Sequence, residues 1–397
     1  MKRLLYGLLC CTSLIACRQE VGYRINGSVP GTPDGMKVYL FDQDRRVDSA
    51  VIKSGKFLLQ GKMGVPSLCG VFIDLTPDVT VDYQKDLRGS NVFVDNSNIQ
   101  YRCVSIDSLP SRYDFERKVA GKVTVSGSFS HDLYMKYQDA IKSSSSRKSE
   151  AWEKYLKVYH IPAGEGIFNT REGIALVREM ESAQEQIEQV QWDFIKAHPT
   201  SPVAVQVAQS LIYGGQMTKD KMDRILQSID TSLREIPAYK QLDEFANSIL
   251  PTTIGEKYLD IELMDVNGKT VRLADYVKPG QYNMIEFWAS WCGPCRYEIP
   301  HLRHVYEIYG KDELNMISVS IDNKDEDWKT ALKEENMRWM QLCDMKGWQG
   351  EVGLKYKIMG VPFSLLLDGE GKIVARDVRG AELDVILIDL LGDKFEE

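Results

Sequence analysis

The run Glu286-Phe287-Trp288-Ala289-Ser290-Trp291-Cys292-Gly293-Pro294-Cys295 constrains the fold of this 397-residue chain more than any other feature. The apolar residues over 282–289 predict a buried strand, and the pattern from Cys292 to about Tyr309 predicts a helix. A strand thus ends and a helix begins at the first cysteine. Unpaired N–H groups and the positive end of the helix dipole stabilise a thiolate there and lower the thiol pKa. Cys292 is therefore expected as an exposed attacking thiol. Cys295 lies one turn on, where it can attack a mixed disulfide and release the bound partner. Gly293 lets a substrate approach closely, and Pro294 lacks an N–H, which costs nothing in a first helical turn. A CxxC can also be half of a zinc site, and His301 and His304 would complete four ligands. All four residues lie on one helix, however, over about 18 Å at ~1.5 Å per residue, so they cannot surround one ion. No metal is expected, and the two histidines read as surface or packing residues.

The segments around this run sort into three regions. Residues 251–397 alternate strand and helix. Leu259 to Asp265 and Thr270 to Leu273 flank Asn267-Gly268 as a hairpin. Strands follow at 282–289 and Leu314 to Ile321, with a helix at 325–336. Pro362 opens a strand through Leu367, a turn at Asp368-Gly369-Glu370-Gly371 leads into Lys372 to Arg376, and a last helix covers 381–391. That order gives an α/β sandwich with a mixed sheet. Residues 17–126 are β-rich, with short runs at 36–41, 56–59, 71–73 and Val79 to Tyr83 separated by Gly, Pro, Asp and Asn, as in a small antiparallel sandwich or barrel. Residues 127–250 are helical, with helices around 131–160, 202–213, 218–234 and 236–249. Leu176, Met180, Ala183, Ile187, Val190 and Phe194 form one apolar stripe on a helix ending near His198-Pro199. The stripe lasts under three heptads and reads as a helix packing on neighbours; it permits dimerisation without establishing it. Ser143 to Ser146 reads as a polar break and a loop.

The N-terminus carries Lys2 and Arg3, then an apolar stretch from Leu4 to Ile15 that is far shorter than the ~20 residues needed to span a bilayer. Leu14-Ile15-Ala16-Cys17 resembles a bacterial lipobox, which implies a signal peptide over 1–16 and a lipid anchor at Cys17. An ordinary secretory signal would leave Cys17 incidental. Cys10 and Cys11 would leave with the signal, so Cys69, Cys103, Cys292, Cys295 and Cys343 remain, too few to staple a chain this long. An exported dithiol is either oxidised by default or kept reduced by a dedicated electron source. The net charge of −8 argues against a nucleic-acid partner, which requires a basic face.

The stretch Phe287 through Cys295 resembles thioredoxin. That family places a cis proline opposite the dithiol, and Gly360-Val361-Pro362 is the matching position. The hairpin, an insertion before that strand and the extension Cys295-Arg296-Tyr297-Glu298-Ile299-Pro300 resemble the membrane-anchored TlpA/ResA-like reductases. The resemblance implies a multidomain chain: an N-terminal β-sandwich-like domain resembling DUF4369, a central α-helical segment and a C-terminal α/β thioredoxin fold. It implies that Cys292 and Cys295 are catalytic, with Glu298 as a family acid that tunes the dithiol. Glu286 stands where thioredoxin has a buried Asp that moves a proton; the longer side chain departs from that pattern. Either acid could instead be a solvated carboxylate. Trp291, Gly293, Pro294, Val361 and Pro362 would contact substrate, with Trp288 part core and part rim. Trp348 would pack the insertion helix and Cys343 would be a small buried hydrophobe. Cys69 and Cys103 are candidates for a disulfide within the N-terminal domain.

The implied activity is reduction of disulfides in exported proteins, periplasm-facing on the cell envelope, with no cofactor and an electron donor outside the chain. The Gly-Pro spacer resembles the reducing members, near roughly −270 mV, rather than the strong oxidants near about −120 mV. Two other readings remain open. One is a thiol peroxidase, although peroxiredoxin-like domains usually carry a threonine where this chain has Ala289. The other is a lipid-anchored binding protein whose redox domain is accessory.

Overall fold

The computed structural model describes residues 22–113, 123–213, 216–310 and 313–395. Cys17 and the signal segment lie outside the described residues. Residues up to Asp132 and residues from Leu133 onward form two compact units.

The first unit contains β1 (Tyr23–Ser28), β2 (Lys37–Asp42), β3 (Arg45–Val51), β4 (Lys56–Gly61), β5 (Ser67–Asp74), β6 (Leu87–Val94), β7 (Asn98–Cys103) and β8 (Val123–Ser126). They form two four-stranded sheets, ordered β4-β1-β7-β8 and β3-β2-β5-β6. Alternating residues such as Val38 and Leu40 of β2 and Ile25 of β1 point into one core shared by both sheets. The unit is not fully antiparallel, because β1 and β7 run parallel, and its described strands fall into two separate sheets. Residues Val79 to Tyr83 are not a strand. The Asp74 carboxylate accepts from Thr76 N at 3.0 Å and Lys85 Nζ at 2.7 Å, pinning a loop that ends in a 3-10 turn at Asp82–Gln84. Cys69 and Cys103 are free thiols, not a disulfide. The Cys103 thiol points instead to the Ser105 carbonyl at 3.4 Å.

The second unit joins helices to an α/β domain. It holds most of α1 (Phe129–Tyr155), followed by a π-helical turn at Leu156–His160, α2 (Ile161–Gly164), α3 (Thr170–Ala197), α4 (Pro202–Tyr213), α5 (Lys219–Gln227) and α6 (Pro237–Ile249). Ser143 to Ser146 continue α1 rather than breaking it. Serine costs only a few tenths of a kcal/mol in a helix, and α3 supplies lateral partners: Ser144 Oγ donates to Gln186 at 2.9 Å and Lys148 Nζ to Gln184 at 2.7 Å. The helix expected over 218–234 stops at Gln227, because Asp230 caps a separate 3-10 turn through Ser232 N at 2.9 Å.

The α/β domain comprises β9 (Glu262–Asp265), β10 (Thr270–Arg272), β11 (Tyr282–Trp288), α7 (Gly293–Tyr309), β12 (Leu314–Ser320), α8 (Asp325–Glu335), β13 (Met340–Cys343), α9 (Glu351–Lys355), β14 (Phe363–Leu367), β15 (Ile373–Arg376) and α10 (Ala381–Leu391). One seven-stranded sheet, β10-β9-β13-β12-β11-β14-β15, carries them. β11 is buried from Asn283 to Trp288, paired parallel with β12 and antiparallel with β14. The insertion contributes a strand that the sequence pattern did not reveal: β13 sits between β12 and β9.

The central helices pack on this domain. Tyr155, Tyr159 and Val177 share a core with Ala381 and Val385 of α10. Tyr297 on α7 donates to the Ile161 carbonyl at 2.7 Å, and Phe168 stacks on His304 with ring centroids 4.2 Å apart. Gly164 and Gly173 allow the approach, since a Cβ at either would run into the rings of Tyr297 and Tyr159, respectively.

Candidate redox site

β11 delivers the chain to the N-terminus of α7, and Cys292 is the N-cap residue. Its Sγ accepts from Cys295 N at 3.1 Å, so a helix-terminal N–H points at the sulfur. Cys292 and Cys295 are joined in a disulfide, with Cα atoms 5.2 Å apart. The turn leading into Cys292 is clamped from two sides. Asp322, just past β12, accepts from Ser290 N at 2.9 Å and Ser290 Oγ at 2.6 Å, and Arg296 Nε donates to the Ser290 carbonyl at 2.8 Å.

The Val361-Pro362 peptide is cis. Cys292 Sγ lies 3.6 Å from the Val361 carbonyl oxygen, so the disulfide and the cis-proline loop face each other. Gly293 and Gly360 border open space where a Cβ would sit. Cys292 is less accessible than expected for an attacking thiol, at 5% exposure against 0% for Cys295, because its sulfur is turned to Cys295 and the Val361 carbonyl. Trp291 is 61% exposed beside it, whereas Trp288 is wholly core. Trp348 is partly exposed in a 3-10 turn at Gly347–Gln349. Cys343 is buried, and burial pushes its thiol up to about 12, leaving it protonated.

Both candidate acids are buried, which removes the solvated alternative. Glu286 projects from β11 and its Oε2 accepts from Ser318 Oγ at 2.7 Å, while Oε1 has no hydrogen-bond partner. Burial raises its pKa to about 7; the nearby Glu298 charge adds to the rise, and the Ser318 hydrogen bond and Arg379 oppose it. Glu298 has the opposite fate. Burial would raise it, but the His301 hydrogen bond and charge, Gly380 N–H and His160 outweigh burial and hold it below the ordinary carboxylate range.

His301 is neither a surface nor a packing residue. Its Nδ1 lies 2.9 Å from Glu298 Oε1 and its Nε2 lies 2.8 Å from Asp384 Oδ1. Burial would lower the imidazole pKa, but the two carboxylates raise it. Tyr159 OH donates to the other Asp384 oxygen at 2.7 Å, and Gly380 N to Glu298 Oε1 at 2.8 Å. A hydrogen-bonded line therefore runs from Glu298 on the dithiol helix to the central helical segment. The sequence reading missed His301, Asp384 and Tyr159 in this line. The i,i+3 spacing of Glu298 and His301 on α7 was the available signal; nothing in the sequence pairs either with Asp384 or Tyr159.

Two regions of the chain are similar to known proteins. Residues 254–376 match the AhpC/TSA family, and residues 23–134 match the domain of unknown function DUF4369. The thiol-disulfide oxidoreductase ResA of Bacillus thuringiensis is 28% identical over 129 residues, covering 32% of this chain and 71% of that protein. A thiol-disulfide oxidoreductase structure from Bacteroides fragilis is 32% identical, covering 34% of this chain and 100% of that one, with a TM-score of 0.32. The thioredoxin domain of a thiol-disulfide oxidoreductase from Bacteroides vulgatus is 33% identical, covering 36% of this chain and 99% of that one, with a TM-score of 0.33. A DUF4369 domain thus precedes an AhpC/TSA thioredoxin-like domain, and that second domain is similar to ResA-type thiol–disulfide oxidoreductases.

Proposed function

We propose that this protein is a thiol–disulfide oxidoreductase that reduces disulfides of exported proteins. The observation that carries the reading is the Cys292–Cys295 disulfide at a helix N-terminus, facing the cis-proline loop. In the reduced protein the Cys292 thiolate attacks one sulfur of a substrate disulfide, forming a mixed disulfide and expelling the other substrate sulfur as a thiolate. Cys295 then loses its proton and attacks Cys292 Sγ, closing the intramolecular disulfide and releasing the second substrate thiolate. Two electrons pass from the dithiol to the substrate, and the released thiolates take protons from solvent. Glu286, poised near neutrality, accepts the Cys295 proton. Glu298 stays ionised and acts through its field. Trp291, Gly293, Pro294, Val361 and Pro362 form the surface on which the substrate backbone rests. A dithiol donor outside this chain recharges the pair, and Cys17 tethers the protein by lipid to the cell envelope. No helix among the described residues is long and apolar enough to cross a membrane.

The test is trapping. Cys295→Ser in the full chain, expressed in its host, accumulates exported proteins disulfide-linked to Cys292, identified by mass spectrometry. An absence of Cys292-linked partners would sink the reading. The AhpC/TSA match keeps a second reading in view, a thiol peroxidase. Peroxide-dependent consumption of thiols by the reduced protein, at rates above its disulfide reduction, would favour it.

A further inference from the structure

A cleft of ≈ 1160 Å³ runs from Gly293, Pro294 and Pro362 to Trp152 on α1 and Met180 on α3. A second cleft of ≈ 470 Å³ lies between Met359 and Val361 and the stacked rings of Tyr213 and Phe245, whose centroids are 4.0 Å apart. The two clefts share Gln216, Pro362, Asp377 and Arg379 in their walls, so they meet at the cis-proline loop. One side of this groove belongs to the thioredoxin-like domain and the other to the central helices.

The chemistry of the groove narrows its occupant. Its larger cleft, at ≈ 1160 Å³, exceeds the ~300–1,000 Å³ of an ordinary small-molecule pocket, which favours a polymer. Its charged side chains are largely engaged with protein partners: Lys221 with Glu188 at 2.8 Å, Arg178 with Asp389 at 2.6 Å and Arg379 with Asp377 at 2.6 Å. Large aromatic or apolar side chains face solvent at its two ends, with Trp152 48% exposed, Tyr213 59% and Met359 77%, beside exposed Arg178, Glu185 and Lys357. The floor at the dithiol is clear, since Gly293 and Gly360 border open space.

We propose that the central helices form the second wall of a groove in which a disulfide-bearing polypeptide lies extended across Pro362, and that Trp152 and Tyr213 select apolar side chains on either side of its reacting cysteine. The inference rests on the oxidoreductase reading above. It makes the central segment a specificity element of the redox reaction, acting on substrate recognition and not on thiol chemistry.

The experiment uses the reduced full chain and two kinds of probe: hydroxyethyl disulfide, too small to reach the helices, and disulfide-bonded peptides with either Leu or Asp beside each cysteine. The wild-type protein uses the Leu peptide in preference to the Asp peptide. In Trp152→Ala the ratio of the second-order rate constant for oxidation by the Leu peptide to that for hydroxyethyl disulfide falls about tenfold, the size expected for a truncated aromatic anchor. Tyr213→Ala moves the ratio the same way, and Trp152→Phe restores most of it. An unchanged ratio in both alanine variants, a parallel loss on both probes, or equal use of the Leu and Asp peptides by the wild type would overturn the proposal. A wild-type protein that reduces neither probe would sink the redox reading itself, and this proposal with it.

Discussion

The N-terminal β-rich unit and the central helices are alike in carrying no catalytic motif, yet they bury their surfaces differently. The β-rich unit closes on itself: Ile25, Leu40, Val71 and Ile99 share one core. The central helices spend part of their apolar face on the thioredoxin-like domain, with Tyr155, Tyr159 and Val177 packed against Ala381 and Val385. Their polar contacts go the same way, through Tyr159 and Asp384 to His301 and Glu298. A motif-free segment is thus assigned by what it buries against. By that criterion the helices belong structurally with the thioredoxin-like domain.

The sharpest form of the comparison concerns thiols. Burial pushes Cys69 up to about 12 and also raises Cys103, so both are held as inert thiols in the β-rich unit. Cys292 sits on a helix N-terminus. Cys292→Ala should bring insulin reduction to the uncatalysed background, whereas Cys69→Ala and Cys103→Ala should stay within about twofold of wild type. Retained activity in Cys292→Ala, or loss in either of the others, would break the contrast.

The next effect tests the seam between helices and domain. His301→Leu strands the Glu298 and Asp384 carboxylates without their buried partner, a class of change that costs about 3–5 kcal/mol. Leu59→Ala, in the core of the β-rich unit, should cost a similar ~2–5 kcal/mol by leaving a cavity. The two should differ in which part of the melting curve they move. His301→Leu lowers the transition shared by the helices and the thioredoxin-like domain; Leu59→Ala lowers that of the β-rich unit. The pH dependence follows from the signs of the shifts. His301 is raised, so its contribution is complete below its ordinary value of 6.5 and is lost as pH rises through its folded value. Glu298 is lowered, so its contribution is complete above 4.5 and is lost as pH falls through its folded value. The gap between wild type and variant should therefore be widest between pH 4.5 and 6.5. A pH-independent gap in thermal unfolding would mean that packing, not charge, holds the seam.

Glu286 gives a smaller effect of opposite sign. Its folded pKa of about 7 stands above its ordinary 4.5, so the stability it contributes is complete below 4.5 and lost as pH rises through 7. Glu286→Gln should thus stabilise the domain by roughly 1–3 kcal/mol above pH 7 and hardly at all below pH 4.5. The same variant should slow release of the mixed disulfide between pH 6 and 8. An unchanged pH–rate profile would remove Glu286 from the proton path while leaving the stability effect intact.

The legibility of these parts differs for physical reasons. The strand-to-helix junction at Cys292 and the strand after Pro362 could be read because local sequence dictates them: an apolar run, a CxxC with Gly-Pro between, a proline before Phe363. Strand β13 escaped because it is only four residues long and takes its place from pairing with β12 and β9, which no local pattern encodes. Ser143 to Ser146 misread as a loop because the stabilising partners lie on α3. Asp384 and Tyr159 carried no signal at all, since their role depends on packing between α10 and the turn that follows α1.

The smallest expected effect tests whether the seam relies on its interior. Arg178 reaches across from α3 to Asp389 of α10 at 2.6 Å, but both side chains are about half exposed, at 48% and 52%. Water screens such a pair and holding two long side chains costs entropy, so Arg178→Ala should lose only ~0.2–1 kcal/mol, less still at high salt. The same contact is part of the groove wall, so unfolding should be measured apart from peptide reduction. A loss of several kcal/mol, or one insensitive to salt, would mean that the helices are held to the domain from the surface. The buried line through His301 would then be a local device for Glu298, and the division between the two motif-free regions would rest on exposed ion pairs instead of a shared core.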